Sequence, residues 1–252
     1  MGSPARFLTL LLGLLGLSLG LLPIANATVI TFDTPSGSMV GGQPVQASAT
    51  FTTGADSLSI VVTNLEANPA AVIQNLSDLG FVLSSGQTTG ALGSSSATIR
   101  TVNADGTFTD SGTGSTGWEL ENSFVFPFGT GLRLHVLGTD IGPAHTLIAG
   151  PDGASLYSDA NASIAGNGPH NPFIFGPVTF NLDIPGVTAG STISGVVFSL
   201  GTAEDTANNV YNPPFPPADF EGVPEPGTLL LLGPGLVGLG VLARRRYRRE
   251  RQ

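Results

Sequence analysis

Between residues 28 and 201 apolar residues come only in short bursts, and that brevity limits what the chain can build. β-Branched and alternating runs recur, each cut short by Gly, Ser, Asn, Asp or Pro. In Leu58-Ser59-Ile60-Val61-Val62 and Leu132-Arg133-Leu134-His135-Val136 the period is close to two, the repeat of a strand with one buried face. Strands are expected at Thr28–Phe32, Ala47–Thr53, Leu58–Leu65, Gly80–Leu83, Ala97–Val102, Leu132–Leu137, Val178–Ile184 and Thr192–Leu200. Thr107-Phe108-Thr109 and Trp118-Glu119-Leu120 would add an edge hairpin. Many short strands with turns between them predict an all-β domain, a jelly-roll-like β-sandwich over 28–201, rather than an α/β enzyme. One short helix is expected inside it. Asn68 would cap it, Pro69 suits its first position, Val72, Ile73, Leu76 and Leu79 share a face, and Gly80 would end it.

Charge and composition narrow the function. The stretch from Thr28 to Val223 carries sixteen Asp or Glu residues against Arg100 and Arg133 alone, a formal charge of −14. Nucleic acid is excluded as a partner, because phosphates are repelled and almost no cation is present to release counterions. Cations, neutral glycans and protein partners stay compatible with such a surface. Lysine is absent, which rules out a P-loop, a Schiff-base enzyme and an isopeptide crosslink through Lys. Cysteine is absent too, so there is no disulfide, thiol nucleophile or thiolate metal site.

The two ends carry address signals. Arg6 precedes an uncharged, Leu-rich run from Phe7 to Leu22, Pro23 breaks it, and Ala25-Asn26-Ala27 is a small-x-small cleavage site. Residues 1–27 therefore read as a signal peptide cut by signal peptidase, with Thr28 as the mature start. Residues 202–222, with Pro213-Pro214 and Pro216-Pro217, read as a Pro-rich spacer. An uncharged Leu/Gly-rich stretch runs from Gly227 to Ala243. As a helix it would rise roughly 26 Å, slightly short of a hydrocarbon core of about 30 Å. Gly233, Pro234, Gly235, Gly238 and Gly240 weaken that helix, so the anchor is marginal. Arg244, Arg245, Arg246, Arg248, Arg249 and Arg251 follow in the basic segment 244–252, which the positive-inside rule leaves in the cytoplasm.

Val223-Pro224-Glu225-Pro226, the apolar run and the arginine cluster together resemble a PEP-CTERM sorting domain over 223–252. The resemblance implies recognition by exosortase, a membrane-embedded protease or transpeptidase of Gram-negative bacteria. Pro224, Glu225 and Pro226 would be its recognition residues, with cleavage close by. It further implies inner-membrane anchoring before processing, a cell-surface or extracellular destination afterwards, and association with exopolysaccharide and biofilm matrix. Two prolines suit such a role, since they remove N–H donors and keep the segment extended for an enzyme cleft.

Catalytic constellations are weak by comparison. Gly112-Thr113-Gly114-Ser115-Thr116-Gly117 matches G-x-G-x-x-G, but a short polar segment precedes it and no helical stripe follows, so it reads as a loop. H-E-x-x-H and EF-hand patterns are absent, and no G-x-S-x-G occurs between residues 28 and 222. His135 is expected on a polar strand face, His145 in a loop, and His170 in the tight turns of Asn167-Gly168-Pro169-His170-Asn171-Pro172. The pairs Asp105/Asp110, Asp152/Asp159 and Glu204/Asp205 either offer oxygen ligands to Ca²⁺ or are solvated charges. Trp118, Tyr157 and Tyr211 either stack on sugars or pack in the core. No catalytic residue, metal site or cofactor is assigned, with Ca²⁺ the one cofactor left open. The reading is a non-enzymatic surface or matrix protein. A carbohydrate-binding or adhesive module, with or without Ca²⁺, is the main alternative, and a secreted hydrolase the remote one.

Overall fold

The computed structural model describes residues 27–138, 145–153, 155–203 and 206–212. Of the segment 1–27 read as a signal peptide, residues 1–26, Ala25 included, lie outside the described residues. So do Val223-Pro224-Glu225-Pro226, the apolar run 227–243 and the arginine segment 244–252. Among the described residues no helix is long and apolar enough to cross a membrane.

Among the described residues, fourteen strands follow one another. In order they are β1 (Val29–Asp33), β2 (Met39–Val40), β3 (Gln43–Pro44), β4 (Ala47–Gly54), β5 (Ser57–Asn64), β6 (Leu76–Leu83) and β7 (Ala91–Val102). Then come β8 (Phe108–Gly114), β9 (Glu119–Phe126), β10 (Gly129–His135), β11 (Leu147–Ile148), β12 (Phe173–Asp183), β13 (Ile193–Leu200) and β14 (Asn209–Asn212). The described residues are all-β, and every strand expected from the alternation has a counterpart. In β4 the alternation is complete: Ala47, Ala49, Phe51 and Thr53 are buried while Ser48, Thr50 and Thr52 are not. β5 answers it with Leu58, Ile60, Val62 and Asn64 inside. The two are joined through Ala55 and Asp56, with Asp56 at a positive φ of 52°.

Strands β1, β4, β5, β12, β7 and β8 pair antiparallel in that order. A second antiparallel set runs β9, β10, β6, β13, β14. The short β11 ties them into one hydrogen-bonded sheet, running parallel to β12 and meeting β6 through Leu147 and Leu76. Both sets feed one apolar core. Phe32, Phe51, Ile60 and Phe180 come from the first, and Leu79, Phe81, Leu134 and Phe198 from the second. Phe51 of β4 meets Phe81 of β6 edge to face, with ring centroids 5.4 Å apart. Burying each such side chain contributes about 1.5–3 kcal/mol.

The expected helix does not form. Val72–Gln74 makes a single 3-10 turn, and Leu76 to Leu83 becomes β6, whose residues are buried on both faces apart from Val82. Asn68 sits at φ 52° rather than at a cap. The turn is closed instead by the Gln74 side chain, which accepts the backbone N–H groups of Ala70 and Ala71 at 2.7 and 3.0 Å. β6 is flanked by β10 and β13, so its backbone groups are satisfied on both sides. That long-range pairing outweighs a helical stripe of four residues.

Two further expectations change. Phe108 and Trp118 do not open an edge hairpin: β8 pairs with β7 and β9 with β10, and Gly112, Thr113 and Gly114, expected in a loop, belong to β8, so only Ser115–Trp118 crosses from one strand set to the other. Residues 209–212, within the stretch read as spacer, form β14 and pair with Val196–Ser199 of β13. The folded domain therefore extends beyond residue 201, because Val210 and Tyr211 find apolar neighbours there.

Candidate functional site

The second strand set has a core face and an outer face, and the outer one is unusual in composition. Leu79 and Phe81 of β6, Leu132 and Leu134 of β10, and Phe198 of β13 belong to the core. Successive strand residues point to opposite faces, so Asp78, Gly80, Arg133, His135, Val197 and Ser199 lie on the other side. Register aligns them in two cross-strand rows. One runs Glu121, Arg133, Gly80, Val197, Tyr211, and the other Glu119, His135, Asp78, Ser199, Asn209. Above them opens a cleft of about 470 Å³ lined by Asp78, Arg133, Phe124, Phe126, Ser199 and Tyr211, among others. That volume is in the range of small-molecule sites, about 300–1,000 Å³.

One wall is aromatic. Phe124 packs on Phe126 at 4.8 Å, Phe126 lies parallel to Phe128 at 5.2 Å, and Phe128 meets Tyr211 edge-on at 6.3 Å. The β9–β10 turn through Pro127 and Phe128 can fold back over the sheet because the floor carries no side chain at two points. A Cβ at residue 80 would collide with the Phe126 ring and with Val197, and one at residue 195 would stand 2.7 Å from Phe128.

The floor is polar. Arg133 bonds Glu121 through Nε at 2.8 Å and Nη2 at 2.7 Å, and its Nη1 lies 3.6 Å from Asp78 Oδ2. Its guanidinium carbon lies 4.4 Å from the Phe124 ring centre. Asp78 is buried although it belongs to the outer face, with its side chain 3% exposed. Asn209 links the strands further, accepting a hydrogen bond from the Ser199 hydroxyl and donating to the Tyr211 oxygen at 3.3 Å. The cleft thus offers an aromatic wall, a guanidinium held between two carboxylates, and hydroxyl and amide groups that donate and accept. It is equipped to hold a ligand.

A second charged cluster is closed. Arg100 on β7 is buried and bonds Asp110 of β8 in a fork, at 2.7 and 2.8 Å, while Nη1 donates to the Tyr157 hydroxyl at 3.1 Å. The Tyr157 hydroxyl in turn donates a hydrogen bond to the Ala149 carbonyl at 2.8 Å. Phe108 and Phe175 carry the guanidinium on their faces, 3.9 and 3.3 Å from the ring centres. Burial disfavours the charged guanidinium, but the bonds to Asp110 and Tyr157 outweigh it and hold Arg100 all the more firmly protonated. The bond from Arg100 draws Asp110 below the usual carboxylate range, and burial pushes Tyr157 up. These bonds tie β7 to β8 and to Tyr157 and Ala149.

The histidines stay apart. His135 lies on the polar strand face as expected, its Nδ1 against the Leu137 carbonyl at 2.9 Å. His145 is buried against the Pro172 carbonyl, and His170 occupies a turn. The loop carboxylates do not converge either. Asp105 accepts the N–H and hydroxyl of Thr107, and those bonds lower its pKa, while Asp110 faces Arg100. Asp159 accepts from Asn68 at 2.8 Å. Glu204 and Asp205 lie outside the described residues. Among the described residues no group of three His, Asp or Glu side chains could hold a metal. Of the aromatics, Trp118 and Tyr157 are buried, which removes them as sugar platforms, and Tyr211 lines the cleft. Ala27 and Thr28 are described, and Thr28 is tied by its N–H and hydroxyl to the Ala189 carbonyl at 2.9 and 2.6 Å.

The cleft itself was not foreseen. Its visible trace is Phe124-Val125-Phe126-Pro127-Phe128, three rings in five residues beside a turn, where a solvent-facing hairpin ordinarily carries polar residues.

No curated protein and no solved structure matches the chain. A family match is found at the C-terminus, where residues 222–249 match the PEP-CTERM protein-sorting motif. That stretch takes in Val223, Pro224, Glu225 and Pro226, the apolar run and five of the six tail arginines. The motif marks an exported protein directed to exosortase, and the chain is accordingly a PEP-CTERM sorting-domain-containing protein.

Proposed function

We propose that this is an exosortase-processed surface or extracellular-matrix protein whose exported β-domain serves a structural, non-enzymatic role. The match at 222–249 is the observation that carries the reading. Signal peptidase removes residues 1–27, the segment 227–243 holds the precursor in the inner membrane of a Gram-negative cell, and exosortase acts near Pro224-Glu225-Pro226. The product then joins the cell surface and its exopolysaccharide. The exported domain is a β-sandwich, a reading supported by the shared core and by the Phe51–Phe81 contact between the two strand sets. The scattered histidines and the internally bonded carboxylates favour a structural over a hydrolytic role.

The intact mass of the protein recovered from exosortase-producing cells tests this. A species lacking the basic tail is expected, and one ending at Gln252 would refute it. One observation favours a second reading, a carbohydrate-binding module: the aromatic-walled cleft on the outer sheet face, where Tyr211 stands.

A further inference from the structure

We infer that the outer-face cleft of β9, β10, β6, β13 and β14 binds the ring of a neutral sugar. The inference deepens the second reading and stands apart from sorting, since every residue it uses precedes the tail. Three observations carry it.

The first is where the aromatic surface lies. Rings on the core face of these strands need no ligand, but Phe124, Phe128 and Tyr211 are only half-buried and Val125 at the rim is 74% exposed, all on the solvent side. A contiguous apolar patch with a polar surround marks an interaction site. The glycines beneath Phe126 and Phe128 give those rings their room, because a Cβ there would collide with them.

The second is chemical. A pyranose has one face of C–H bonds and a rim of hydroxyls, each of which donates and accepts. The wall matches the face. The rim meets Asp78 as acceptor, Arg133 as donor, and Ser199 and Asn209, which do both.

The third is charge. Arg133 is the cation of this site, and Asp78 and Glu121 lie against it within 3.6 and 2.7 Å. With a domain charge of −14 around it, an anionic sugar gains nothing here and is repelled at a distance. The glycan is therefore uncharged.

The test is calorimetric titration of the full-length chain, held in a sugar-free zwitterionic detergent, with cellohexaose, xylohexaose, mannohexaose and hexagalacturonate. Binding of at least one neutral hexaose, and none of the uronate, is expected. Tyr211→Ala and Phe124→Ala should each weaken binding about ten-fold, the loss of one ring–sugar contact. Trp118, the one tryptophan and buried in the core, reports whether each variant remains folded. If a variant loses that native signal, Val125→Arg decides, since an exposed rim residue can be changed without disturbing packing: weakened binding supports the site and unchanged binding overturns it. Failure of every neutral hexaose, preference for the uronate, or undiminished affinity in folded Tyr211→Ala also overturns it. So does self-association of the wild type that Tyr211→Ala abolishes without any glycan bound, which would assign the cleft to a second copy of this chain. A precursor that is sorted correctly yet binds no glycan separates this inference from the sorting proposal.

Discussion

Phe126 lies directly over Gly80: the ring occupies the space that a Cβ at residue 80 would need. The contact holds the β9–β10 hairpin down on the sheet and sets the height of the cleft wall. Gly80→Ala should therefore cost about 1–3 kcal/mol as the overpacked ring is displaced. Urea unfolding followed by Trp118 fluorescence measures it, and an unchanged midpoint would show that the ring moves freely.

The Arg100–Asp110 pair should respond unequally to removal of its two partners. Asp110→Ala leaves a buried guanidinium without its carboxylate, a loss on the order of 3–5 kcal/mol. Arg100→Met keeps an apolar chain between Phe108 and Phe175 and lets the partly exposed Asp110 face water, so its cost stays below about 2 kcal/mol. Equal destabilisation in thermal melts would contradict this account of the cluster.

The same pair predicts an acid-side stability loss. Arg100 depresses the folded-state pKa of Asp110, so the carboxylate contributes stability above its unfolded value, about 4 for an aspartate. That contribution is lost as pH falls from there through the lower folded value. Unfolding midpoints measured downward from pH 6 should decline less steeply in Arg100→Met than in the wild type, and parallel profiles would remove Asp110 as a source.

Phe51 is the point where the two strand sets touch through Phe81, and Phe32 packs on its other side at 5.8 Å. Phe51→Ala should cost about 3–5 kcal/mol. The exposed Val29→Ala, on the neighbouring β1, should change stability by less than about 0.5 kcal/mol in the same denaturation assay.

In the tail, Pro224→Ala with Glu225→Ala should shift most of the protein from the processed to the unprocessed form in cells. Substituting Gln for Arg244, Arg245, Arg246, Arg248, Arg249 and Arg251 should weaken the topological stop, so that a reporter placed after Gln252 becomes partly periplasmic. Immunoblots of fractionated cells read both outcomes.

Alternation made most strands legible. Leu58, Ile60 and Val62 against Ser59, Val61 and Thr63 announce a strand whatever lies beside it. The start of β6 is ambiguous in sequence because Val72, Ile73, Leu76 and Leu79 also fit a helical spacing, and only pairing with β10 and β13 breaks the tie. β14 was hidden for a related reason. Asn209-Val210-Tyr211-Asn212 is too short to signal a strand, and it becomes one by adding to the free edge of β13.

Local and terminal properties were settled by the order of residues alone. The all-β class, the acidic and cysteine-free exported stretch and the sorting tail each follow from neighbours in sequence, because strand periodicity, charge and the Pro-Glu-Pro segment act over a few residues. The cleft was decided by tertiary structure. Asp78, Phe124, Arg133, Ser199 and Tyr211 are far apart in the chain, and each is unremarkable where it stands. Cross-strand register brings them to one face, and two bare glycines give the rings room to lie there.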